Sequence, residues 1–142
     1  MEATIDYSAT ARRSHGRGAV WTGRIITGIV VLFMLFDSIT KILKVDAVVK
    51  ASAQLGYSAN TIMAVGIILF ACLVVYLYPR TAILGAVLLT GYLGGAVEAN
   101  LRVGTPLFSN ILFPVYFGIL VWAGLYLRNS RVREFLSFRK AE

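Results

Sequence analysis

The chain is poor in the groups that most catalysts use. Its 142 residues include one cysteine, Cys72, and one histidine, His15. A single thiol forms no internal disulfide and no CxxC exchange motif. A lone histidine excludes bis-histidine haem ligation and a histidine-based metal site within one chain. No metal site is expected. No ligand set for haem, iron–sulfur or flavin is present, so the chain alone is not an electron carrier. Charge is scarce too, at 15% of residues against about 25% in an average protein.

What replaces charge is hydrocarbon. Hydrophobic residues make up 58% of the chain and the mean hydropathy is +0.74. They gather in four blocks. Residues 25–36 form the first, which continues to residue 43 across Asp37 and Lys41. The blocks 61–78, 81–97 and 111–127 carry no charge at all. At 1.5 Å per residue, eighteen residues reach about 27 Å, close to the hydrocarbon thickness of a bilayer. A soluble helix needs a polar face, and these blocks have almost none. The expected fold is all-α: a bundle of four transmembrane helices at about 22–43, 60–78, 80–101 and 110–128. Residues 1–20 are polar and are expected to be a disordered cytoplasmic tail. Residues 129–142 form a basic cytoplasmic tail, whose Val132, Phe135, Leu136 and Phe138 suggest a short interfacial helix.

The net charge of +7 reads as topology, not as nucleic-acid binding. Arg12, Arg13, Arg17, Arg24, Arg80, Arg128, Arg131, Arg133, Arg139 and Lys140 fall on one side of a four-crossing chain. Lys41, Lys44, Lys50 and Arg102 fall on the other. This bias predicts that both termini are cytoplasmic. The membrane expected is a prokaryotic cytoplasmic membrane. Residues 44–59 repeat their apolar positions at three- and four-residue steps. That period predicts a short amphipathic helix on the outer surface, with Gly56 as its stop. Tyr76 and Tyr78 suit an interfacial belt. Pro114, one turn into the last helix, is expected to kink it.

Two features interrupt the apolar pattern. Asp37 precedes Lys41 by four residues, and Glu98 precedes Arg102 by four. Acid before base is the better order for a contact along a helix. The pairs serve either as anchors that end the helices or as parts of a polar pocket open to the outer leaflet. Ionisable residues that face the interior of a membrane bundle usually mark a site. In the pocket reading, Lys41 and Glu98 face each other or share water, and Tyr92, Asn100 and Ser38 complete the lining. Gly91, Gly95 and Ala99 form a small-residue stripe. It makes either a dimer seam or, in the preferred reading, close packing inside the bundle.

These residues resemble a known family. TGYLGGAVEANLRVG is similar to the TGYLGGAVATHLRVG signature of the DoxX-like family of small four-helix membrane proteins. FDSITKIL resembles that family's Asp-Gly-x-x-Lys stretch, LGYS its LGYP, and YPRTAILGAVLL its IPRT turn. The likeness covers roughly residues 22–128. It implies a four-helix integral membrane fold. Some relatives are associated with quinone-linked oxidation of sulfur compounds, others with oxidative-stress complexes. Two positions depart from the pattern: Leu69 stands where many relatives have glutamate, and Asn100 where many have histidine. Glu98 is acidic where relatives usually have a small residue.

Three functions follow as expectations, none of which assigns a reaction. The preferred one is a non-enzymatic module that binds a lipophilic ligand or a partner subunit in the outer-leaflet pocket. The alternative is an accessory subunit of a quinone-linked oxidoreductase, with quinone as ligand and a redox protein as partner. The third is a small transporter, which at this size would work as a homo-oligomer.

Overall fold

The computed structural model describes the backbone of residues 7–136 and the side chains of residues 17–135. Six α-helices follow one another, with no strand among the described residues: α1 (Tyr7–Ile42), α2 (Asp46–Gln54), α3 (Ala59–Leu77), α4 (Ala82–Val103), α5 (Phe113–Arg128) and α6 (Ser130–Leu136). A single π-helical turn, Leu107–Ile111, leads into α5. Four segments are long and apolar enough to cross a membrane: Arg17–Ile42, Ala59–Leu77, Ala82–Val103 and Leu107–Arg128. The protein is an integral membrane protein.

The helix period sorts each span into two faces. On α1, Ile25, Ile29, Leu32 and Phe36 are more than half exposed, as residues facing lipid are. Thr27, Val30, Met34 and Ser38 lie on the opposite face and are buried. Ile62, Leu69, Leu73 and Tyr76 supply the inner face of α3. Ala82, Ala86, Leu89 and Leu93 supply that of α4, and Val121 and Leu125 that of α5. The four spans form a ring in which α1 packs against α3 and α5, and α4 packs against the same two. The short turn from Leu77 to Ala82 makes α3 and α4 antiparallel neighbours.

Several local expectations are corrected. Residues 1–20 were expected to lack regular structure, yet α1 begins at Tyr7. Ala9, Ala11, Arg12 and Arg13 favour helix, and no proline intervenes to stop the span from extending backwards. Residues 1–6 and 137–142 lie outside the described residues, as does the expected role of Phe138. Pro114 does not kink a helix. It sits in the first turn of α5, where its missing N–H has no helical partner to lose. Tyr76 is not interfacial: it is fully buried, while Tyr78 is exposed. The expected short helix between the first two spans is present as α2, which ends before Gly56 with its φ of +83°.

Two close approaches set the ring's geometry. A Cβ on Gly85 of α4 would collide with the backbone of Tyr76 on α3. A Cβ on Gly23 of α1 would lie 2.8 Å from the backbone nitrogen of Arg128 on α5. Both contacts are at the end of the bundle that holds Arg128.

Candidate functional site

Asp37 and Lys41 sit one turn apart on α1, near the end that α2 covers. Gly66 of α3 lets α1 lie against it there. A Cβ at that position would be 2.8 Å from Lys41 Cβ. Ser38 Oγ donates to the Gly66 carbonyl at 2.8 Å, which fixes the register of the two helices. Ser38 is thereby consumed in helix packing and does not line the pocket as expected.

Lys41 Nζ donates to both the Asp37 carboxylate and, at 3.0 Å, the hydroxyl of Tyr92 on α4. The second bond spans the diagonal of the ring. The Lys41 side chain is 17% exposed and that of Asp37 36%. Pairing within one helix cancels the net charge that the span would otherwise carry. It therefore lowers the cost of holding an ammonium among apolar side chains. Asp37–Lys41 is the one salt bridge present among the described residues.

Lys41 and Tyr92 stand between two cavities and line both. The larger, about 410 Å³, lies under α2 between α3 and α4. Its floor is Gly91, Gly95 and Ala96; Ser52, Leu55 and Tyr57 close it from the α2 side; Glu98 and Asn100 stand at one rim. The smaller, about 200 Å³, lies between α1, α4 and α5, where Asp37, Lys41 and Tyr92 meet Phe33, Phe113 and Phe117. These three rings form a cluster with centroids 4.7 to 5.7 Å apart. The arrangement provides a fixed cation and a phenol hydroxyl flanked by apolar and aromatic walls. It can receive a hydrogen-bond acceptor attached to a hydrophobic body. A separate groove of about 780 Å³ runs along α4 and α5 past Leu93, Gly94 and Gly118. Its walls are almost entirely apolar, so it offers nothing to orient a ligand.

The remaining residues singled out from the sequence divide into three groups. Glu98 lines the larger cavity with Lys41 but makes no hydrogen bond or ion pair with the described residues, and it is exposed. Arg102 does not pair with Glu98. It donates to the Leu55 carbonyl at 3.1 Å, tying α4 to the end of α2. Asn100 donates to the Ala96 carbonyl at 2.8 Å and accepts from Thr105 Oγ1 at 3.1 Å, so it secures the end of α4 while lining the cavity. Gly91 and Gly95 depart from the preferred reading of packing inside the bundle. A Cβ on either would meet no atom within 4 Å, because the cavity lies where a neighbouring helix was expected. Only Ala99 of that stripe is buried.

Sequence reasoning passed over Phe33, Phe113, Phe117, Ser52 and Tyr57. The phenylalanines look like ordinary span residues until the phases of α1 and α5 are known. Tyr57 did carry a signal, since it belongs to the LGYS motif.

Comparison with known proteins agrees with this architecture. A family model described as DoxX-like family matches residues 25–124. Neither curated proteins nor solved structures gave a match. The matched stretch runs from the lipid-facing start of the first span to the last, and it includes Asp37, Lys41, Tyr92 and the three phenylalanines. The chain belongs to the DoxX-like family of integral membrane proteins.

Proposed function

We propose that this protein is a small non-enzymatic membrane module that binds an amphiphilic molecule at the Lys41–Tyr92 site. The observation that carries the reading is that one charged, hydrogen-bonded pair lines two cavities. A carbonyl, carboxylate or similar acceptor on the ligand meets Lys41 and Tyr92. The ligand's apolar part lies over Gly91 and Gly95 or against the phenylalanine cluster. In the orientation that the charge bias favours, both termini are cytoplasmic and the site opens toward the outer leaflet of a prokaryotic cytoplasmic membrane. Labelling of single cysteines introduced near Arg24 and near Lys50 tests that orientation. Modification from the same side would overturn it.

The test of binding is chemical extraction. Organic extracts of the purified protein, analysed by mass spectrometry, are expected to contain a small amphiphile at a fixed ratio to protein. Lys41→Met is expected to lose it while the protein remains helical. An equal yield from Lys41→Met would remove the reading.

The second reading is an accessory subunit beside a quinone-linked oxidoreductase, with a redox protein as partner. What favours it is the aromatic cluster, since three phenylalanine rings beside two hydrogen-bond donors suit a planar ring bearing carbonyl oxygens. An ultraviolet spectrum of the same extract, recorded before and after borohydride reduction, separates the two readings. A transporter or a homo-oligomer draws no comparable support from the site.

A further inference from the structure

A second site lies at the opposite end of the bundle. The close crossing of α1 and α5 at Gly23 and Gly124 has a consequence for charge. A Cβ on Gly124 would lie 2.6 Å from Thr27 Oγ1, so the two helices nearly touch at that level. Arg24 follows Gly23 directly, and Arg128 is one turn beyond Gly124. The crossing therefore brings two arginines from different helices to the wall of one cavity of about 400 Å³. Bringing like charges together costs free energy unless an anion offsets it. Neither arginine forms an ion pair with a carboxylate among the described residues.

Arg128 is only partly satisfied by the protein. One of its amino groups donates to the Tyr76 carbonyl across 3.4 Å, and its guanidinium carbon lies 5.0 Å from the centre of the Tyr76 ring. Its Nε is buried without a hydrogen-bond partner. Arg24 is exposed and makes no hydrogen bond to the described residues. The rest of the cavity is Thr27, Gly28, Val31, Leu32 and Leu77 along α1 and α3, apolar except for the Thr27 hydroxyl, which is buried without a hydrogen-bond partner among the described residues. Gly28 leaves it open, since a Cβ there would meet no atom within 4 Å. Two arginines lining a mostly hydrocarbon trough suit a molecule with a phosphate head and an acyl tail.

We propose that this cavity binds one anionic phospholipid, its phosphate held between Arg24 and Arg128 and one acyl chain lying over Gly28, Val31 and Leu32. Guanidinium groups suit phosphate because their planar fork makes two parallel bonds to it. Basic pockets between membrane helices are recurrent binding sites for anionic lipid headgroups. This site shares no lining residue with the Lys41–Tyr92 site and does not depend on it.

Native mass spectrometry of the delipidated protein in mild detergent tests this. The protein is titrated with phosphatidylglycerol or phosphatidylcholine of the same chains, with and without inorganic phosphate. One phosphatidylglycerol is expected to stay bound under activation that strips phosphatidylcholine. Arg24→Gln is expected to weaken retention about fivefold, the effect of losing one basic contact to an anionic lipid. Gly28→Leu, which fills the trough with a good helix former, is expected to abolish retention with helicity unchanged. Arg80→Gln, outside the cavity, is expected to leave it intact. Equal retention of the two lipids would overturn the proposal, as would an equal loss in Arg80→Gln. So would displacement by millimolar inorganic phosphate, which would make the free anion the ligand.

Discussion

Two tyrosines bridge the diagonals of this bundle, one near each end, and their surroundings could hardly differ more. Tyr76 reaches from α3 to α5 and donates to the Val121 carbonyl at 2.8 Å. It is fully buried, with Gly85 pressed against its backbone. Tyr92 sits across the ring from α1 and accepts from Lys41, with a cavity on either side. The first tyrosine is enclosed by packed helix surfaces. The second stands between two cavities, where a small molecule has room. The same residue type thus supports the fold in one place and a candidate binding site in the other, and the partner decides which. A backbone carbonyl ties the hydroxyl down. An ammonium leaves it available to a ligand.

Mutations can break or sharpen this contrast. The largest effect is expected beside Tyr76. Gly85→Val forces a side chain into the backbone of Tyr76, and overpacking of this kind costs about 3 kcal/mol or more. The check is denaturation in mixed detergent micelles, where the variant should unfold at a much lower denaturing-detergent fraction. Next comes Tyr76→Phe. It removes one buried hydrogen bond, with an expected loss of about 1 kcal/mol in the same assay. Around Tyr92 the balance reverses. Tyr92→Phe is expected to cost less than about 0.5 kcal/mol, since the hydroxyl faces cavities that can hold water. Binding of the extracted amphiphile, measured by calorimetry, is expected to weaken about fivefold from the same change. If Tyr92→Phe destabilised the bundle as much as Tyr76→Phe, the contrast between the two ends would be wrong. The smallest effect belongs to Glu98→Gln. An exposed group without a partner is expected to shift stability by no more than about 0.5 kcal/mol.

Much of the architecture was legible because a bilayer leaves few choices. Backbone groups in hydrocarbon must be satisfied within each segment, so uncharged runs of span length become helices. Their number, order and approximate limits follow directly. Asp37 and Lys41 were legible as a pair for a related reason, since i,i+4 contacts depend on a single helix. Glu98 and Arg102 have the same spacing, yet Arg102 turns to the Leu55 carbonyl instead. Near the end of α4, the exposed carbonyl at the close of α2 competes with the carboxylate, and no spacing rule ranks the two. The spacing of Gly91 and Gly95 permits close approach and so suggests a packing seam. Permission is not contact, and the mutual rotation of α3 and α4 leaves a cavity there. The phenylalanine cluster and the Arg24–Arg128 wall also depend on the relative rotation of separate helices, which one-dimensional periodicity does not encode.

The in-helix partnership of Asp37 with Lys41 also bears on biogenesis. Their bond exists as soon as the first segment coils, before any neighbour arrives. The nascent segment can thus leave the translocon already neutral at that depth. Tyr92 then joins a pre-assembled group when the later segments gather around it.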